Sequence, residues 1–316
     1  MKKISDNLLE PSQQQLNNLL KYYQTGRYID AEKLSLSITQ EFPKHRFAWK
    51  VLAAVLKQKG RINESLIVSQ KSVQLDPQDA KAHNNLGIIM KELGRLEEAE
   101  ASYRQAIKLK PDLAEAHSNL GFIMKELGRL EEACSAFIQA INLKPDFTDA
   151  YVNFAIAIKK IRFTSSNVKL YPLLIQLLNT GNYVRPLDLA PSILSLLKHD
   201  PVIENLLLEE NFVTNLKEAN TIIGNLDKLS LLHHIMRVCR LPDLQLEKFF
   251  VNMRSFILTN LDNFKATPEF IHFLSSLSLH CFTNEYIYFE KDDETKLVKN
   301  LEAEITNSIA KSEQPE

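Results

Sequence analysis

Cysteine, glycine and long apolar runs are all scarce in this chain of 316 residues. Its three cysteines, Cys134, Cys239 and Cys281, are odd in number and far apart, which argues against a disulfide framework and against a CxxC metal knuckle. No apolar run reaches the roughly 18 residues of a membrane-spanning helix, and Met1-Lys2-Lys3-Ile4-Ser5-Asp6 lacks the apolar core of a secretory signal. A cytoplasmic location without a membrane partner is therefore expected. Excess charge is missing too: 38 Lys and Arg face 39 Asp and Glu, a formal net charge of −1, so no global field favours nucleic acid or anionic lipid. A glycine-rich phosphate loop, a GxSxG elbow and an HExxH helix are all absent. The expectation is a chain that is not an enzyme, uses no cofactor or metal, and binds no nucleic acid.

The glycines and prolines that do occur keep time. Gly26, Gly60, Gly94 and Gly128 stand 34 residues apart, and so do Pro43, Pro77, Pro111 and Pro145. A 34-residue period belongs to two-helix solenoid repeats, which present an extended surface to another molecule. Within the copy 80–113, His83, Leu86, Gly87, Met90 and Leu93 gather one face of a first helix. Leu96, Ala99, Tyr103, Ala106 and Leu109 do the same for a second. Gly94 fits the left-handed position that ends the first helix, and Pro111 stops the second. Small residues recur where paired helices must touch: Gly87 and Gly121 in first helices, Ala99, Ala106, Ala133 and Ala140 in second ones. The copy 114–147 matches 80–113 at 24 of 34 positions. The expected organisation is an N-terminal segment 1–11; repeats at 12–45, 46–79, 80–113 and 114–147 with a partial or capping unit 148–161; a linker 162–169; a helical domain 170–309; and a polar tail 310–316.

The period, with Trp49, His83, His117 and Tyr151 in the aromatic series and Leu52, Leu86, Leu120 and Phe154 in the packing series, resembles the tetratricopeptide repeat over residues 12–161. The resemblance implies an all-α superhelical solenoid, here followed by an irregular all-helical C-terminal domain, and a role in binding peptides or proteins.

The residues expected to line the inner groove include Lys81, Asn84, Asn85, Ile88 and Lys91 of one copy and Asn119, Phe122 and Lys125 of the next. Asn85, Asn119 and Asn153 form an amide row with a step of 34, Asn17 in phase and Val51 breaking the series. Amides donate and accept, so such a row can pair with successive peptide groups without reading side chains. Leu20, Ala54, Ile88, Phe122 and Ile156 make a parallel apolar row; the bland reading of both rows is packing between repeats. The amide row resembles the one lining the repeats of protein O-linked N-acetylglucosamine transferases. The carboxylate clamp of chaperone-binding members is a poor match, because Ala54 and Glu115 stand where an asparagine and a lysine are wanted beside Lys50 and Asn85.

After Arg162-Phe163-Thr164-Ser165-Ser166-Asn167 the rhythm stops. Apolar residues keep helical spacing, and Gly181, Pro186, Pro191, Pro201, Gly224, Pro242 and Pro268 are expected to cut the segment into helices, with later ones at 243–261, 268–281 and 295–309. His233 and His234 point about 100° apart on a helix, and His272 and His280 lie two turns apart, so neither pair suits one metal. Residues 165–300, with Arg185-Pro186-Leu187-Asp188-Leu189-Ala190-Pro191-Ser192 and the stretch from His280 to Tyr288, resemble the helical region of bacterial, notably marine cyanobacterial, repeat proteins that often carry a methyltransferase domain. No methyltransferase glycine motif fits after Tyr288. The expected function is a non-catalytic scaffold holding a protein or peptide; the alternative is the substrate-recruiting arm of a methyltransferase or glycosyltransferase whose catalytic part is missing from this chain.

Overall fold

The computed structural model describes residues 10–180, 184–208, 213–283, 295–300 and 302–303. The chain divides into two compact units, Met1–Ala157 and Ile158–Glu316. The described residues are helical with no strand, and no helix among them is long and apolar enough to cross a membrane.

The first unit alternates first and second helices: α1 (Gln13–Gln24), α2 (Tyr28–Glu41), α3 (Arg46–Gln58), α4 (Ile62–Leu75), α5 (Ala80–Glu92), α6 (Leu96–Leu109), α7 (Ala114–Glu126), α8 (Leu130–Leu143) and α9 (Thr148–Ile158). From α1 to α8 each helix packs on its neighbour in sequence, and α1, α3, α5 and α7 also touch in succession, as a stacked array requires.

The turns explain the glycine period. Gly26, Gly60, Gly94 and Gly128 have φ of 72°, 74°, 73° and 76°. After α5 the amide of Arg95 donates to the carbonyl of Met90 at 2.9 Å and that of Gly94 to Lys91 at 3.0 Å, the two bonds of a Schellman cap. The other three turns repeat it with Arg27, Arg61 and Arg129 in the place of Arg95. Each of these arginines then pairs with an acid three residues on, Asp30, Glu64, Glu98 or Glu132, in the first turn of the following helix.

The aromatic series has its own chemistry. The ring N–H of Trp49 donates to the carbonyl of Pro43 at 2.8 Å, and Nε2 of His83 and His117 reach those of Pro77 and Pro111 at 3.0 and 2.9 Å. A carbonyl only accepts, so both imidazoles carry their proton on Nε2. Trp and His interchange here because each brings a ring N–H to the same place. Gly87 and Gly121 lie under the buried rings of Tyr103 and Phe137: a Cβ at either would sit 2.7 or 2.8 Å from ring carbons.

The second unit contains α10 (Tyr171–Thr180), α11 (Pro186–Lys198), α12 (Pro201–Leu208), α13 (Leu216–Leu226), α14 (Ser230–Val238), α15 (Leu244–Thr259) and α16 (Pro268–Thr283). Helix α14 packs against α10, α11 and α16. Two expected breakers do not break. Pro191 lies inside α11, near enough to its start that little more than one ladder bond is forfeited, and Gly224 is carried within α13. Pro186, Pro201 and Pro268 instead begin helices, where a missing N–H costs nothing. Arg162 and Phe163, expected in a linker, are tied to α11 through Ser192 and Ser195. Gly181, the run from 284 to 294 and the tail 310–316 lie outside the described residues, as does the end of the helix expected at 295–309.

Candidate functional site

The first helices bring the in-phase rows to one face of the array. A pocket of about 210 Å³ opens there, walled by Lys50, Ala54 and Lys57 of α3, Asn85 and Ile88 of α5, and Tyr23 of α1. Ser69 and Ser72 of α4 close its floor, and the Ser69 hydroxyl is buried with no hydrogen-bond partner among the described residues. Ala54, Ile88, Phe122 and Ile156 are partly exposed and Leu20 is exposed, so the apolar row is a half-open stripe rather than sealed core. Val51, which breaks the amide row, is buried.

One repeat further on, two cations approach the Phe122 ring, with Lys91 Nζ 4.9 Å and Lys125 Nζ 4.4 Å from its centroid. Lys125 also reaches Asn153 Oδ1 at 3.4 Å and Glu126 at 3.6 Å. Lys50 is held by Asp79 at 2.6 Å and Lys57 by Glu92 at 3.2 Å. The face therefore offers amides, ammonium groups and apolar surface side by side.

Three family models match inside the array: one described as TPR repeat over residues 89–128, and two described as tetratricopeptide repeat over 69–101 and 114–147. Residues 69–147 are tetratricopeptide repeats. Similar solved structures include MamA, 24% identical over 44% of this chain and 81% of that one with a TM-score of 0.41. A thermophilic tetratricopeptide-repeat protein of Thermus thermophilus is 25% identical over 44% of this chain and 77% of that one, TM-score 0.40. YrrB, described as having an unusual peptide-binding site, is 15% identical over 60% and 87%, TM-score 0.42. A search of curated proteins found no match.

Within the tetratricopeptide array the predicted groove residues are not equivalent. Asn85, Ile88, Lys91, Asn119, Phe122, Lys125 and Asn153 are half-buried, and Lys81 is exposed. Asn84 departs from the expectation: it is buried, and its amide oxygen accepts from Asn119 Nδ2 at 3.1 Å, so it ties α5 to α7 instead of facing a guest. Asn153 spends its Nδ2 donor on the Asp149 carbonyl. Asn85 keeps the freest amide of the row and alone of the three lines the pocket. Lys57 and Tyr23 were missed, although a step of 34 back from Lys91 lands on the first and a further step on the second.

The second unit gathers a different cluster. His233 is buried, donating from Nε2 to the Leu226 carbonyl at 3.1 Å while Nδ1 meets Ser276 Oγ at 2.9 Å. The ring of His272 stacks on it at 4.2 Å, and His272 Nδ1 pairs with Asp227 at 2.6 Å. Asp227, His233 and His272 thus lie within ligand distance of one another. Both nitrogens of His233 are engaged in hydrogen bonds and Nδ1 of His272 is taken by Asp227, so this arrangement is a hydrogen-bonded packing cluster rather than a formed metal site. Burial pushes the Cys134 thiol up to about 12 and that of Cys239 up to about 11, which leaves neither as a thiolate at neutral pH.

Proposed function

We propose that this protein is a non-catalytic scaffold that holds an extended peptide segment of a partner protein against the face bearing Asn85 and Asn119. The observation that carries the reading is the 210 Å³ pocket, where the available amide of Asn85 sits beside the half-open apolar stripe at Ala54 and Ile88. An amide paired to a peptide group and an adjoining apolar hollow together supply main-chain affinity and side-chain selectivity.

The test is a random-peptide display selection on the purified protein, followed by affinity measurement of enriched peptides. Asn85→Ala should weaken them by about tenfold, the worth of one or two well-placed hydrogen bonds, while melting stays unchanged. Asn119→Ala should weaken binding and also lower stability by about 1 kcal/mol, because Asn84 loses its partner. Enriched peptides that bind Asn85→Ala as well as the native chain would remove the groove reading.

A further inference from the structure

We infer that the guest is acidic, and that a lysine row formed by Lys57, Lys91 and Lys125 receives its carboxylates; this rests on the groove reading above. The three lysines are spaced by 34, each in the last turn of a first helix, α3, α5 and α7. A cation there complements the helix dipole, which accounts for lysine at the position and not for where the ammonium groups go. They go to the pocket-bearing face: Lys57 walls the pocket, and Lys91 and Lys125 flank Phe122, each ammonium within 4.9 Å of its centroid.

Their compensation is uneven. Glu92 holds Lys57 at 3.2 Å. Glu126 stands 3.6 Å from Lys125, beyond a good hydrogen bond, with its side chain 46% exposed. Lys91 has no ion-pair partner among the described residues; its contact is the Phe122 ring. Lys91, without an ion-pair partner, and Lys125, loosely paired to Glu126, therefore leave incompletely neutralised positive charge beside the amide row, and an incoming carboxylate meets that field together with the Lys91 donors.

The array also sets a spacing. Helices in contact lie about 8–10 Å apart, and an extended chain advances about 3.3 Å per residue, so neighbouring lysines are roughly three peptide residues apart. The preferred guest carries an acid at about every third position with uncharged residues between.

The test uses fluorescein-labelled peptides of four Glu-Ser-Val triplets, with Gln-Ser-Val and Lys-Ser-Val counterparts and a labelled oligouridylate. Anisotropy is read on the native protein, on Lys91→Gln/Lys125→Gln and on Asn85→Ala. The glutamate peptide should bind at least about tenfold more tightly than the glutamine peptide, lose that advantage in the double lysine variant, and weaken with added salt. Equal binding of the glutamate and glutamine peptides, both weakened by Asn85→Ala, would overturn the acidic preference and leave the groove standing. Glutamate binding indifferent to the lysine pair, no glutamate binding at all, or preferential capture of the oligouridylate would each overturn the inference; display selection then judges the groove on its own. Circular dichroism of both variants checks that the fold is kept.

Discussion

Acid should loosen the second unit before the repeats, and the amount follows from two histidines. Burial, with the neighbouring His272 and Arg237 adding to it, holds His233 down to about 4 against an ordinary 6.5. Burial alone holds His280 down to about 4 as well. Both fold neutral, so their contribution is complete above about pH 6.5 and is lost as pH falls toward 4. At pH 5 each unfolded imidazole is almost fully charged while each folded one is still neutral, a penalty of about 2 kcal/mol apiece and about 4 kcal/mol together. That is a large part of the roughly 5–15 kcal/mol that holds a domain together, and most carboxylates are still ionised there. The chain carries one tryptophan, Trp49, in the first unit. Urea unfolding at pH 7.5 and pH 5 would be followed by Trp49 fluorescence for the repeats and by far-ultraviolet circular dichroism for both units. The ellipticity curve should gain an early transition at pH 5 that fluorescence does not share. His233→Gln, which keeps an N–H for the Leu226 carbonyl, should recover about half the loss. An NMR titration placing His233 near 6.5, or ellipticity curves unchanged between the two pH values, would refute the reasoning.

Gly87→Ala should cost about 1–3 kcal/mol, since its methyl meets the buried Tyr103 ring at 2.7 Å; in a Tyr103→Leu background most of that cost should vanish, whereas Phe137→Leu should leave it untouched, as a double-mutant cycle by urea melts will show. Gly94→Ala should lose about 1–2 kcal/mol for a different reason, a φ of +73° with open space around the new methyl, so no second-site change should rescue it. Tyr103→Phe should be neutral or slightly stabilising, because the Tyr103 hydroxyl is buried with no partner among the described residues and the next repeat has Phe137 at the same place. His83→Phe should destabilise by about 1 kcal/mol in the same melts by leaving the Pro77 carbonyl unmet, and His83→Trp should not.

What could be read from the chain depended on whether a residue's duty repeats. Gly94 and Pro111 announced a helix end because few other residues tolerate a left-handed turn or stop a ladder so firmly, and three further copies in register removed the ambiguity of a single match. Pro191 and Gly224 carry the same local signal without the register, and tertiary packing overrode it: a helix can absorb one missing bond near its start. The pairing of His233 with His272 was beyond reach for a related reason. The two residues lie on different helices with no period to align them, and only the packing of α14 on α16 stacks their rings.

For the candidate site the rows were legible and their depth was not. Asn84 and Asn85 are chemically the same and adjacent, so nothing in composition distinguishes the one that fastens α5 to α7 from the one that walls a pocket. About 100° of helical rotation separates them, and the stagger of adjacent repeats decides which is buried. Lys57 could have been found by extending the step from Lys91, yet lysine late in a helix is so common on dipole grounds alone that its phase only gains meaning once its ammonium is seen in the pocket wall.

Comparing α5 with α7 gives the groove reading one more lever. The two helices differ at three of thirteen positions, Lys81 against Glu115, Asn84 against Ser118 and Ile88 against Phe122, a spacing of three and four that marks one face. Lys81 and Glu115 are exposed and Ile88 and Phe122 half-buried, so at those two positions side chains are free to differ, whereas Asn84 and Ser118 are buried; Asn85 with Asn119 and Lys91 with Lys125 stay alike without full burial to compel them. If carboxylates are what the lysines await, Glu115 is a local repellent at the edge of that face. Glu115→Lys, restoring what Lys81 supplies one repeat earlier, should tighten the glutamate peptide by a few fold and leave stability unchanged, since Glu115 is exposed and has no ion-pair partner among the described residues. If instead the peptide binds Glu115→Lys no more tightly at low salt, the field at that end of the groove does not reach the guest, and the acidic stretch must be sought nearer Lys57.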